Sequence, residues 1–214
     1  MEGPHQNQPL LSAGAAPEKA RAALLLVHGR GATAASILSL ADEFQQDEFL
    51  YLAPQAGGNT WYPYSFLSPI TSNEPGLSSG LAAVGAALAQ VEAAGIPPEH
   101  TILLGFSQGA CLALEYAARN ARRYGGVVGY SGGLIGPEGT PRDYPGAFDG
   151  TPVFLGCGVP DPHIPEARVL ESAEVFRRLG GEVTARLYPR MGHTINADEI
   201  AFVQEMMAAL IGQV

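Results

Sequence analysis

A chain of 214 residues is long enough to bury a full hydrophobic core without a structural metal or a disulfide framework. With 46% apolar and only 15% charged residues, its composition excludes a disordered chain. A net charge of −9 leaves no basic patch to neutralise phosphates, which argues against a nucleic-acid partner.

Strand-like and helix-like runs alternate along the chain. The first 20 residues lack a basic start followed by an apolar run, so no signal peptide is read there and a loosely ordered segment is expected. Ala22–Val27 reads as a strand, followed by the turn His28-Gly29-Arg30-Gly31. Thr33–Gln45 reads as one helix and Phe49–Ala53 as a strand ending at Pro54. The irregular segment Gln55–Pro75, rich in aromatics, Pro and Ser, is long enough to serve as a lid-like binding loop. Gly76–Ala94 is Ala-rich and helical, stopped by Gly95 and the Pro97-Pro98 pair. Thr101–Gly105, Gly126–Tyr130, Val153–Gly158 and Val183–Tyr188 are further strands. Ser107–Asn120, Pro165–Leu179 and Ile195–Ile211 are further helices.

The strands are short and almost wholly apolar, without alternation. Such strands are covered on both faces, which predicts a doubly wound, mostly parallel α/β sheet flanked by helices, in one domain spanning 1–214. Cys111 and Cys157 are too few for a disulfide framework and read as buried free thiols in a reducing compartment. No run of 18 apolar residues exists, so no membrane span is expected and a cytoplasmic location is.

In open parallel sheets ligands bind outside the carboxyl ends of the strands. Gly105-Phe106-Ser107-Gln108-Gly109 lies between a strand and a helix, the setting of a nucleophile elbow, where a Ser stands on a tight turn above the sheet. The pentapeptide alone would arise by chance in roughly one such chain in six; its flanking elements give it weight. A Ser hydroxyl needs a general base, and the base a carboxylate to orient it. His193 follows the last strand, and Asp161 follows the Val153–Gly158 strand; the chain order Ser107, Asp161, His193 is that of α/β-hydrolases. His163, two residues from Asp161, reads as a loop residue at the mouth of the site, and His28 as structural. The oxyanion of an acyl-transfer intermediate needs N–H donors, assigned to the backbone of Gln108 and of Arg30.

These residues together resemble the phospholipase/carboxylesterase branch of the α/β-hydrolases, which includes acyl-protein thioesterases and small bacterial carboxylesterases. The matching pieces are His28–Gly31, Gly105–Gly109, Ser131-Gly132-Gly133-Leu134, Gly158–Pro165 and Met191-Gly192-His193. The resemblance implies a compact α/β-hydrolase fold without a large cap domain, and a Ser-Asp-His esterase with no metal or cofactor. Its substrate would be a small-molecule ester, and the protein a monomer or homodimer. Arg30 stands where the eukaryotic thioesterases tend to carry an aliphatic residue. The segment around Trp61, Tyr62, Tyr64 and Phe66 looks like the bacterial esterases, in which aromatics flank the substrate; packing onto the core is the alternative. Trp61, Tyr62, Phe66, Leu134 and His163 are therefore the expected substrate-binding residues. Short-chain or small aromatic esters are the expected substrates, with lysophospholipid or acyl-thioester hydrolysis, or non-catalytic small-molecule binding, as alternatives.

Overall fold

A computed structural model describes residues 3–212. Among the described residues seven strands form one sheet in the order β1-β3-β2-β4-β5-β6-β7. They are β1 Leu10–Gly14, β2 Ala22–Val27, β3 Phe49–Pro54, β4 Thr101–Phe106, β5 Gly126–Tyr130, β6 Pro152–Val159 and β7 Glu182–Pro189. All neighbouring pairs run parallel except β1 with β3. The helices are α1 Ala34–Leu38, α2 Leu40–Phe44, α3 Gly76–Ala93, α4 Gln108–Arg119, α5 Glu166–Arg178 and α6 Ala197–Ile211.

The unbroken apolar strands follow from two cores. Side chains alternate across a strand, so Leu25 and Val27 pack with α3, α4 and α5 on one face, while Leu24 and Leu26 pack with α1, α2 and α6 on the other. Every residue of β2 is fully buried. The chain leaves β2 to one side for β3 and returns to its other side for β4. That reversal opens a crevice at the carboxyl ends of β2 and β4, where a doubly wound sheet binds its ligand.

Three expectations change. Part of the N-terminal segment expected to be loose is ordered: Leu10–Gly14 pairs antiparallel with β3, from Leu10↔Pro54 to Gly14↔Leu50. The helix expected over 33–45 is two, α1 and α2, meeting at Ser39, whose hydroxyl donates back to the Ser36 carbonyl. The segment 55–75, expected as a lid-like binding loop, is a packed wall of the cleft: it carries two 3₁₀ turns, Gly57–Asn59 and Ile70–Asn73, and buries Trp61, Tyr62 and Phe66. Its aromatic residues supply the anchors.

Candidate active site

Ser107 caps α4 with φ 57° and ψ −120°, a conformation that costs a non-glycine residue about 1–3 kcal/mol. Close packing holds it there. A Cβ on Gly105 would lie 2.3 Å from the Gly109 carbonyl oxygen, and one on Gly109 would lie 2.1 Å from the Val27 carbonyl oxygen. Only glycine lets α4 seat this tightly on β4 and β2. The Ser107 N–H donates to the Tyr130 carbonyl at 2.9 Å, tying the turn to β5.

The β6–α5 and β7–α6 loops bring their residues to this hydroxyl. His193 Nδ1 lies 2.8 Å from Asp161 Oδ2, and His193 Nε2 lies 2.8 Å from Ser107 Oγ. An ionised carboxylate only accepts, so Nδ1 carries the proton and Nε2 is free to accept from Ser107. Asp161 Oδ1 accepts from the backbone N–H of His163 at 2.8 Å and of Ile164 at 3.0 Å. The Asp161 side chain is fully buried, which by itself raises its pKa. The bond from His193 and the two backbone N–H groups outweigh burial and hold the carboxyl below its usual range. The rings of Phe106 and His163 pack on the His193 ring at centroid distances of 5.1 and 4.7 Å.

Ser107 opens into a cleft of about 620 Å³. Gly29, Arg30 and Gln108 line it beside the hydroxyl, and Tyr62, Tyr64, Phe66, Phe106, Ile164 and His163 form its walls. Gln108 is the first residue of α4, so its N–H belongs to the unbonded leading turn. The Arg30 N–H has no acceptor among the described residues. A Cβ on Gly29 would lie 3.4 Å from Ser107 Cβ, which sets the Arg30 turn against the nucleophile turn.

Of the expected substrate-binding residues, Tyr62, Phe66 and His163 line the cleft, and Trp61 and Leu134 do not. Trp61 is fully buried behind the wall, between the rings of His5 and His28 at 5.2 and 5.0 Å, with its indole N–H donating to the His28 carbonyl. Leu134 is buried in the core on the α5 side, its N–H bonded to Ser172. Both are large apolar groups drawn into the core from irregular segments. His28 is buried, with Nδ1 donating to the Gly29 carbonyl and Nε2 accepting from the Ala56 N–H; burial lowers its pKa. Burial likewise pushes the Cys111 and Cys157 thiols up to about 12. Phe106 and Ile164 went unassigned from sequence, although one precedes Ser107 and the other lies three residues past Asp161. No helix among the described residues is long and apolar enough to cross a membrane.

The model of the phospholipase/carboxylesterase family matches residues 12–211. The crystal structure of a phospholipase/carboxylesterase from Dyadobacter fermentans superimposes with a TM-score of 0.91 at 46% identity, over 94% of this chain and 97% of that one. Acyl-protein thioesterase 1 of Gibberella zeae is 34% identical over 116 residues, or 53% of this chain and 49% of that protein, so the match spans about half the length of this relative. Acyl-protein thioesterase 1 of Emericella nidulans is 25% identical over 91% of this chain and 92% of its own length.

Proposed function

The chain belongs to the phospholipase/carboxylesterase family of α/β-hydrolases, and on that premise we propose that it is a serine carboxylesterase acting on short-chain or small aromatic esters. The observation that carries this is the unbroken relay Ser107 Oγ, His193 Nε2, His193 Nδ1, Asp161 Oδ2, with both links at 2.8 Å. Ser107 attacks the acyl carbon while His193 removes its proton. Asp161 keeps the imidazole in the accepting tautomer and stabilises the imidazolium that forms. The backbone N–H groups of Arg30 and Gln108 hold the oxyanion. His193 then hands its proton to the departing alcohol, leaving an acyl-enzyme on Ser107. A water deprotonated by His193 releases the acid.

The cleft supports the choice of substrate. Tyr62, Phe66, Phe106 and Ile164 give it an apolar lining suited to a compact acyl or aryl group. Hydrolysis of p-nitrophenyl esters from acetate to palmitate, by wild type and Ser107→Ala side by side, tests the reading. Turnover should peak at short chains and disappear in the variant. A peak at long chains favours the second reading, a lysophospholipid hydrolase or an acyl-thioester hydrolase, the latter in line with the fungal relatives, which are acyl-protein thioesterases. Turnover that survives in Ser107→Ala contradicts both.

A further inference from the structure

We propose that the side chains of Arg30 and Gln108 are positioning groups that lock the two oxyanion donors onto one template, the segment Thr60–Tyr64; this rests on the assignment of their backbone N–H groups to the oxyanion made above. The two residues lie on different turns, after β2 and after β4, and their side chains grip the same few residues. Arg30 Nη1 donates to Thr60 Oγ1 at 2.9 Å and to the Pro63 carbonyl at 3.0 Å. Its Nη2 donates to the carbonyls of Tyr62 at 2.9 Å and Tyr64 at 2.7 Å. Gln108 Nε2 donates to that same Tyr62 carbonyl at 2.8 Å, and its Oε1 accepts from the Trp61 N–H at 2.9 Å. The Thr60 hydroxyl, already an acceptor for Arg30, also lies 3.2 Å from Gln108 Oε1.

The Tyr62 carbonyl therefore receives one bond from each side chain, and the Thr60 hydroxyl lies 3.1 Å from the same oxygen. The template is itself fixed from behind by Trp61, whose indole is tied to the His28 carbonyl on the strand side of the Arg30 turn. A donor pair works only when both N–H groups converge on one point, and a displacement of about 1 Å can cost about 10²-fold in rate. The planar fork of Arg30 meets four acceptors in fixed directions, which a lysine ammonium on a flexible stem cannot reproduce. Among the described residues Arg30 has no carboxylate partner within ion-pair distance, so its grip on the template is through neutral oxygens alone.

Steady-state kinetics on p-nitrophenyl acetate, the smallest ester of the series, separate donor positioning from pocket shape. Arg30→Met should lower kcat by about 10- to 100-fold with KM within about threefold, and Arg30→Lys should restore little of it. Gln108→Glu, which sets a carboxylate against the Tyr62 carbonyl, should show the same split. An alkyl boronic acid, which forms a tetrahedral adduct with the serine, should bind each variant more weakly by about the factor lost in kcat. Circular dichroism and thermal unfolding identify a variant that has lost its fold, and the remaining variants then decide. An unchanged kcat on the acetate in folded variants, with KM raised only for bulky aryl esters, overturns the proposal and leaves Arg30 as part of the wall. Full recovery in Arg30→Lys also overturns it, since charge alone would then suffice. Lack of any Ser107-dependent turnover in the wild type instead overturns the esterase reading beneath it.

Discussion

The loop after β6 and the first turn of α6 each bury a carboxylate beside β6, and although burial raises both pKa values, the two carboxyls end on opposite sides of the ordinary range. Asp161 accepts from two backbone N–H groups and from His193, with the Cys157 thiol a further 3.7 Å contact, and its pKa is lowered. Glu199, fully buried, accepts through Oε2 from the Asn196 N–H at 2.9 Å, while Oε1 has no partner among the described residues and lies against Gly156. Burial dominates there: the single backbone bond lowers the pKa less than burial and nearby Asp198 raise it, and the carboxyl is pushed up to about 7. At Asp161 three donors outweigh the cost of burial, and at the more deeply buried Glu199 one donor does not. The proposed mechanism needs a permanent charge at Asp161, and the β6–α5 loop supplies the donors that maintain it.

The sharpest way to break this contrast is to remove the charge without changing the shape. Asp161→Asn should lower kcat by about 10⁴-fold, because the amide no longer enforces the accepting tautomer of His193. Steady-state rates on a short p-nitrophenyl ester check this, and a loss below tenfold would remove Asp161 from the relay. Next in size is a purely steric disturbance of the same region. A Cβ on Gly158 would lie 2.1 Å from the Gly192 carbonyl oxygen, a backbone atom with no flexible side chain to give way. Gly158→Ala should therefore shift the His193 loop and lower kcat by about 10²-fold, measured on the same ester; an unchanged rate would mean the loop tolerates displacement.

The smallest effect belongs to Glu199. Its folded pKa lies above the usual 4.5, so the folded state binds its proton more tightly, and stability from this group is lost as pH rises from about 4.5 through about 7. Asp161 behaves in the opposite sense: its contribution is present above the unfolded carboxylate pKa and is lost as pH falls through its lower folded value. Glu199→Gln keeps the capping box with Asn196. Between roughly pH 5 and pH 8 the unfolding free energy of Glu199→Gln should move in its favour, relative to wild type, by on the order of 1 kcal/mol. Denaturant unfolding at the two pH values checks this, and a constant difference would show that Glu199 is ionised throughout.

The proposed triad was legible in the sequence because each of its members follows the carboxyl end of a strand; β4 and β6 are apolar and buried on both faces, while β7, a half-exposed edge strand carrying Thr184 and Arg186, gives the weaker signal. β1 was hidden: Leu10–Gly14 is a short, half-exposed edge strand whose only partner among the described residues is β3, so no local pattern marks it. The division of the 33–45 helix at Ser39 is equally silent in the apolar periodicity. Trp61 and Leu134 lie in the core rather than along the cleft, a distinction the sequence does not carry because an aromatic or aliphatic residue in an irregular segment reads the same whether it faces a ligand or the core. The grip of Arg30 on Thr60–Tyr64 depends on partners some 30 residues away, meeting only after the sheet has formed.

The measurement that bears most directly on the central claim is covalent capture of the nucleophile. The folded protein would be treated with a fluorophosphonate, and the adduct located by peptide mapping. A single adduct on the peptide containing Ser107, absent from Ser107→Ala and greatly slowed in Asp161→Asn, is the predicted result. A folded wild-type protein that takes up no label, or takes it up on another residue, would contradict the account.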